Sequence, residues 1–380
     1  MIYNILQIEA HLTNSTALKM AAEAVWERCG CRSGYRGGYL LLAVRIRSAL
    51  LSHFCEELSY ANIFFGDLTD SFGYLFFISN HSEVNKMKKT VFTGAATAII
   101  TPLTEKGIDF DAFGRLIDWQ IDEGIAAIVA VGTTGEGSTL SDEEHRAAIK
   151  YCVERVAGRV PVIAGTGSND TAYAIELTKY ACEVGADAML LVTPYYNKAT
   201  QNGLYASFAA IADASTKPCI LYNVPSRCGC NLLPKTVARL AEHENIVGIK
   251  EASGNISQIA ELAALVGDKI DIYSGNDDQI VPIMSLGGCG VISVLSNLMP
   301  RKTQKICEDF QSGNIASARR SQLDLLPLIN ALFCEVNPIP VKAAMAAMGY
   351  CENYLRLPLT PMEKENEEKL LTLMKKEGLI

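Results

Sequence analysis

The run Ile246-Val247-Gly248-Ile249-Lys250-Glu251 is apolar up to its lysine, the pattern of a core strand in a parallel sheet. Most lysines are solvated surface charges. A lysine at the end of a buried strand is desolvated instead, and burial disfavours the ammonium form. What remains is a neutral amine able to attack a carbonyl. Two other groups fall at comparable places. Tyr222 ends the run Ile220-Leu221-Tyr222, and Gly132-Thr133-Thr134-Gly135-Glu136-Gly137 sets two hydroxyls among glycines. Such a turn lets backbone N–H groups and side chains come close to an anion. Singly, each has an ordinary explanation: Gly/Thr turns are common, and the pair Tyr195-Tyr196 reads as loop packing. Together they supply an amine to form an imine, a phenol to move protons, and donors for a 2-oxo acid carboxylate. That is the equipment of a Schiff-base lyase.

Chemistry of this kind needs a scaffold that brings distant strand ends together. From Thr90 onward, apolar runs end near Ile100, Val131, Gly165, Val192, Tyr222, Lys250, Ser274 and Ser293, at intervals of 19 to 34 residues. Amphipathic stretches with helix-start signals lie between them. Ser141-Asp142-Glu143-Glu144 has capping-box spacing, and Asn169-Asp170-Thr171 offers a second start. Eight strand–helix units with no antiparallel section specify a parallel sheet closed into a (β/α)8 barrel, over residues 87–313. A doubly wound open sheet is the alternative, but it calls for fewer units and a Gly-rich dinucleotide turn after the first strand. Thr101-Pro102-Leu103 stands there instead. Helices are expected at Ile315–Leu332, Pro340–Met348 and Pro361–Lys376, forming a C-terminal helical domain over 314–380. In a barrel the chemistry belongs at the C-terminal ends of the strands, where Lys250, Tyr222 and the Thr133-Thr134 turn all fall.

The chain has 380 residues, 49% hydrophobic and 20% charged, with a net charge of −8 and a mean hydropathy of +0.14. This is a globular composition. Its negative charge argues against nucleic acid and anionic membranes as partners. No window approaches the run of about 20 apolar residues that a membrane span needs. Of the 12 cysteines, several (Cys152, Cys182, Cys219, Cys307) lie in apolar runs, which suits reduced core thiols in a cytosolic protein. Cys29-Gly-Cys31 and Cys228-Gly-Cys230 lack the two-residue gap usual for zinc, so no metal site is expected. Residues 1–86 read differently from the remainder. Leu40–Val44 is too short for a span and wrongly placed for a signal peptide, and Phe72–Phe77 shows no sustained period. His81–Lys86 resembles a linker, and Met87-Lys88-Lys89 an ordinary protein start. The expectation is an appendage unrelated to the chemistry, or a natural start at Met87; a small partner-binding segment is the alternative.

From Met87 on, the chain resembles the dihydrodipicolinate synthase family, within the pyruvate-aldolase superfamily that includes N-acetylneuraminate lyase. The resemblance rests on Phe92-Thr93-Gly94, Val131-Gly132-Thr133-Thr134-Gly135-Glu136, Ile163–Gly167, Thr193-Pro194-Tyr195-Tyr196-Asn197, Leu221–Arg227, Gly248–Glu251 and Asn337-Pro338-Ile339-Pro340-Val341-Lys342. These stretches are in order and span the barrel. The resemblance implies an imine between Lys250 and pyruvate, with no metal or organic cofactor. It implies a proton relay of Tyr222, Thr133 and Tyr196, the last contributed by a neighbouring subunit of a homodimer or of a dimer-of-dimers tetramer. Thr133 and Thr134 hold the pyruvate carboxylate in this scheme, Arg227 binds the carboxylate of L-aspartate 4-semialdehyde at the entrance, and the main chain at Gly275 and Ile292 lines the pocket.

Two other activities compete. A sugar-acid aldolase such as N-acetylneuraminate lyase tends to carry Ser-Thr where this chain has Thr133-Thr134, and Arg227 suits a short carboxylate-bearing aldehyde better than a polyol. A non-catalytic sensor of 2-oxo acids does not call for Lys250 and Tyr222 together. Many members of the family also bind the end product L-lysine. By resemblance that effector site uses Ser138, His145, Asn169 and Tyr195. Tyr173 stands where lysine-sensitive members tend to carry glutamate, and Asp142 where many carry histidine; Asp142 restores part of the lost charge only if its carboxylate reaches the site, so weak or absent inhibition is expected.

Overall fold

The computed structural model describes residues 89–380; the expectations for residues 1–86 lie outside the described residues. Eight short strands follow the apolar runs: β1 Gly94–Ala98, β2 Ala127–Ala130, β3 Val162–Gly165, β4 Ala188–Val192, β5 Cys219–Asn223, β6 Ile246–Glu251, β7 Asp271–Ser274 and β8 Gly290–Ser293. All their residues but Val192 are buried. Burial on both faces is why the strands read as continuous apolar runs without alternation. Each strand pairs in parallel with the next, and β8 pairs with β1, closing an eight-stranded barrel. The expected (β/α)8 barrel is therefore the fold.

The intervening helices start where the sequence signals them. Ser141 caps Asp142–Val156 with both halves of a capping box, its main-chain N–H donating to Glu144 Oε2 at 3.0 Å and its hydroxyl accepting from the Glu144 N–H at 3.2 Å. Asp170 caps Thr171–Glu183. Helices also form at Ile315–Leu332, Ile339–Ala347 and Lys364–Lys376. The last begins three residues beyond Pro361, because Pro361 to Glu363 stay outside the helix and Glu363 is its N-cap. The first strand stops at Ala98, short of Ile100, and a two-stranded ribbon, Leu103–Thr104 with Gly107–Ile108, follows. The chain turns there because Ile100 N–H donates to Asn297 Oδ1 at 3.1 Å and Thr101 Oγ1 donates to Gly135 O at 2.7 Å.

The core has two compartments. Side chains such as Ile128, Met189, Leu221 and Ile249 face the helices. Phe92, Ala96, Leu190, Ile220, Tyr222, Tyr273 and Ile292 fill the barrel interior. One irregularity decides where Lys250 points. Cys219 pairs with Ile246, but Ile220 pairs with Gly248, so β6 carries one extra residue, Val247. Ile246 faces outward with Cys219, and strict alternation from it would carry Lys250 outward among the helices. The bulge resets the parity. Lys250 then lies between Tyr222 on one side and Tyr273 on the other, both of which face inward.

Candidate active site

Lys250 emerges at the C-terminal end of β6 with only 5% of its surface exposed. Its Nζ lies 4.3 Å from the centroid of the Tyr222 ring, a cation–π distance that tethers the side chain whenever it is charged. Burial draws the ammonium down from the usual lysine range to about 7. The Asp277 carboxylate opposes that shift, and the Arg227 guanidinium adds to it. Space beside the lysine is held open by Gly275, because a Cβ there would lie 3.2 Å from Lys250 Cε and 2.6 Å from the Ala252 side chain.

Tyr222 is buried, and burial pushes its phenol up, with Arg227 and a hydrogen bond to Thr133 working the other way. It is thus a protonated phenol at neutral pH, able to give a proton and, through Thr133, to pass one on. Arg227 sits on the short helical turn Pro225–Cys228 just past β5 and is exposed, as an entrance residue would be. Its Nη2 donates to the main-chain carbonyl of Asn337 at 3.1 Å.

A cavity of about 300 Å³ opens beside this group, and Thr133, Tyr222 and Arg227 are on its wall. Ser138, His145 and Tyr195, expected at the effector site, share the same wall, together with Tyr173. Lys250 and Ile292 are buried inside the barrel, half-buried Gly275 stands beside the lysine just past β7, and Thr134 turns its hydroxyl to Asn337. Two expected residues stay apart. Tyr196 is 90% exposed, held at a φ of 71°. Asn169 is not on the cavity wall, and its main-chain carbonyl accepts from Asn197 Nδ2 at 2.9 Å. His145 is buried, its Nε2 2.9 Å from Gly165 O, and burial lowers its basicity.

Two groups, Asp277 and Lys342, went unassigned in the sequence. Asp277 is buried beyond the end of β7, and its Oδ2 accepts from the N–H groups of Val294 and Leu295 at 3.0 and 2.9 Å. The run Ser274–Asp278 marked a strand end, but nothing in it distinguishes the inward carboxylate from Asp278. Lys342, fully buried, pairs at 2.6 Å with Glu136 Oε1 and donates to Thr101 O at 2.7 Å, tying the helix Ile339–Ala347 to the Thr133-Thr134 turn. Tyr173 donates its hydroxyl to Asp142 Oδ1 at 3.0 Å.

Known proteins resemble this chain in sequence and share its fold. Residues 91–377 match the profile of the Dihydrodipicolinate synthetase family. A 4-hydroxy-tetrahydrodipicolinate synthase of Acetivibrio thermocellus is 57% identical over 294 residues, covering 77% of this chain and 100% of the relative. Among solved structures, the chloride-inhibited dihydrodipicolinate synthase of Acinetobacter baumannii complexed with pyruvate matches with a TM-score of 0.75 at 46% identity, over 77% of this chain and 100% of that one. A dihydrodipicolinate synthase of Cyanidioschyzon merolae with lysine bound matches with a TM-score of 0.74 at 40% identity, over 77% and 100% of the two chains.

Proposed function

The chain belongs to the dihydrodipicolinate synthetase family, and on that premise we propose that it condenses pyruvate with L-aspartate 4-semialdehyde to 4-hydroxy-tetrahydrodipicolinate, in lysine and diaminopimelate biosynthesis. The observation that carries this reading is Lys250: an amine buried at a barrel strand end, brought down to about 7, against a phenol ring 4.3 Å away. Its neutral form adds to the pyruvate ketone, and loss of water gives the imine. Once protonated, the imine withdraws electrons, so a proton leaves the pyruvate methyl group and an enamine forms. The enamine carbon attacks the aldehyde of the second substrate. That substrate's own amine then displaces Lys250 and closes the ring. Tyr222 and Thr133 carry protons between these steps, and Thr133 and Thr134 orient the pyruvate carboxylate. Tyr196, exposed on its own subunit, completes the relay in a neighbouring subunit of a homodimer or tetramer. The scheme needs no metal or organic cofactor. No helix among the described residues is long and apolar enough to cross a membrane, in keeping with a cytoplasmic biosynthetic role.

One assay separates this reading from its competitors. With pyruvate and aspartate semialdehyde the enzyme is expected to form product, and with pyruvate and N-acetylmannosamine it is not. Product only from the sugar would assign the barrel to the sugar-acid aldolases, and product from neither would leave it a sensor.

Regulation by L-lysine is expected to be weak. An effector ammonium needs a charged partner, and a charge-assisted hydrogen bond contributes about 1.5–3 kcal/mol. Tyr173 offers no carboxylate, and the Asp142 carboxylate is already engaged by the Tyr173 hydroxyl at 3.0 Å and by Arg146 Nε at 2.7 Å. The missing charge corresponds to about a ten- to hundredfold weaker affinity. Titrating lysine into the steady-state assay checks it: half-inhibition at sub-millimolar lysine would show that Tyr173 does not have this effect. A chain beginning at Met87 is expected to fold and turn over like the full one, since the barrel begins at Gly94 and every matching motif lies after Met87. Thermal melting and kcat of the shortened chain decide that, with loss of either showing that residues 1–86 support the barrel.

A further inference from the structure

The motif Asn337-Pro338-Ile339-Pro340-Val341-Lys342 has had no chemical role so far. Asn337 is 5% exposed and lies just before Pro338, the N-cap of the helix Ile339–Ala347. Its side-chain Nδ2 donates to Thr134 Oγ1 at 3.0 Å, and its main-chain carbonyl accepts from Arg227 Nη2 at 3.1 Å. One residue from the C-terminal segment therefore touches a residue at each end of the proposed reaction, 203 and 110 positions away in sequence. Lys342, bound to Glu136 and to Thr101 O, pins the same segment to the same turn.

A threonine hydroxyl has a single proton and two lone pairs. When an amide N–H occupies one lone pair, that proton is free to be given elsewhere. We propose that Asn337 is a positioning residue that turns the Thr134 hydroxyl outward as a donor for the pyruvate carboxylate, while its backbone carbonyl separately holds Arg227 for the aldehyde's carboxylate. This rests on the reading that Thr134 binds pyruvate. The two contacts use different parts of Asn337, and that makes them separable. Changing the side chain removes the contact to Thr134 and leaves a carbonyl for Arg227.

Asn337→Asp places an acceptor where the donor was. Its carboxylate accepts a hydrogen bond from the Thr134 hydroxyl, turning that proton away from the substrate, and adds like charge beside the pyruvate carboxylate. The experiment measures the pyruvate dependence of the borohydride-trapped Lys250 adduct, and KM for each substrate, in the wild type, Asn337→Asp and Asn337→Ala. Half-saturating pyruvate is expected to rise about ten- to hundredfold in Asn337→Asp and about fivefold or more in Asn337→Ala. KM for the aldehyde should stay within about twofold, because the Arg227 anchor is main chain. In a Thr134→Val background, Asn337→Ala should cause no further rise. Unchanged pyruvate dependence in both variants overturns the proposal, as does an equal rise in both KM values, which marks a merely structural role. If one variant fails to fold, the other is judged by the same criteria. Absence of the adduct in the wild type would instead overturn the underlying reading, and this role with it.

Discussion

Lys250→Arg is expected to abolish turnover, with kcat/KM falling by at least about 10³-fold. Arginine keeps a positive charge and comparable bulk, but its guanidinium stays protonated and cannot add to a ketone. The wild-type residue works because its environment suppresses the charge. With burial bringing it to about 7, roughly half of Lys250 is neutral at pH 7, against well under roughly 0.1% of an ordinary lysine. The sign of the pH dependence follows. Adduct formation should rise as pH passes up through about 7, where the amine loses its proton, and should fall about tenfold between pH 8 and pH 6. A Lys250→Arg enzyme retaining more than a few percent of activity would assign the nucleophile elsewhere.

Arg227→Ala is expected to separate the two substrates. A bidentate guanidinium–carboxylate contact contributes about 3 kcal/mol, so kcat/KM for the semialdehyde should fall about 10²-fold. Imine formation with pyruvate should survive, since Arg227 sits at the cavity wall while Lys250 lies deeper in the barrel. The guanidinium lowers the pKa of both Lys250 and Tyr222, so its removal should move the alkaline rise in adduct formation slightly upward in pH. Arg227→Lys keeps the charge and loses the fork, so an intermediate defect is expected. Loss of the pyruvate adduct in Arg227→Ala would give this residue a structural role instead.

The strand ends were legible because a parallel barrel buries both faces of each strand. Each apolar run therefore stops where the chain meets the polar mouth, and Tyr222, Lys250 and Ser274 are the last or nearly the last residues of β5, β6 and β7. The direction of Lys250 was not legible. Val247 is one apolar residue in an apolar run, and only the pairing of Ile220 with Gly248 reveals it as the extra residue that turns the lysine inward. Long-range polar contacts were hidden for another reason. Asn337 and Lys342 act on Thr134 and Glu136 across more than 200 positions, a distance no local pattern spans. Asp142 and Tyr173 were read as two separate departures from the family, whereas the structure joins them in one hydrogen bond.

The central claim is that Lys250 forms an imine with pyruvate, and borohydride trapping tests it most directly. The enzyme is incubated with pyruvate, reduced, weighed intact and mapped by peptide. One reduced pyruvate adduct per chain, carried by the peptide containing Lys250 and absent from Lys250→Arg, is the expected result. An adduct on another lysine, or none at any pH between about 6 and 9, would contradict it.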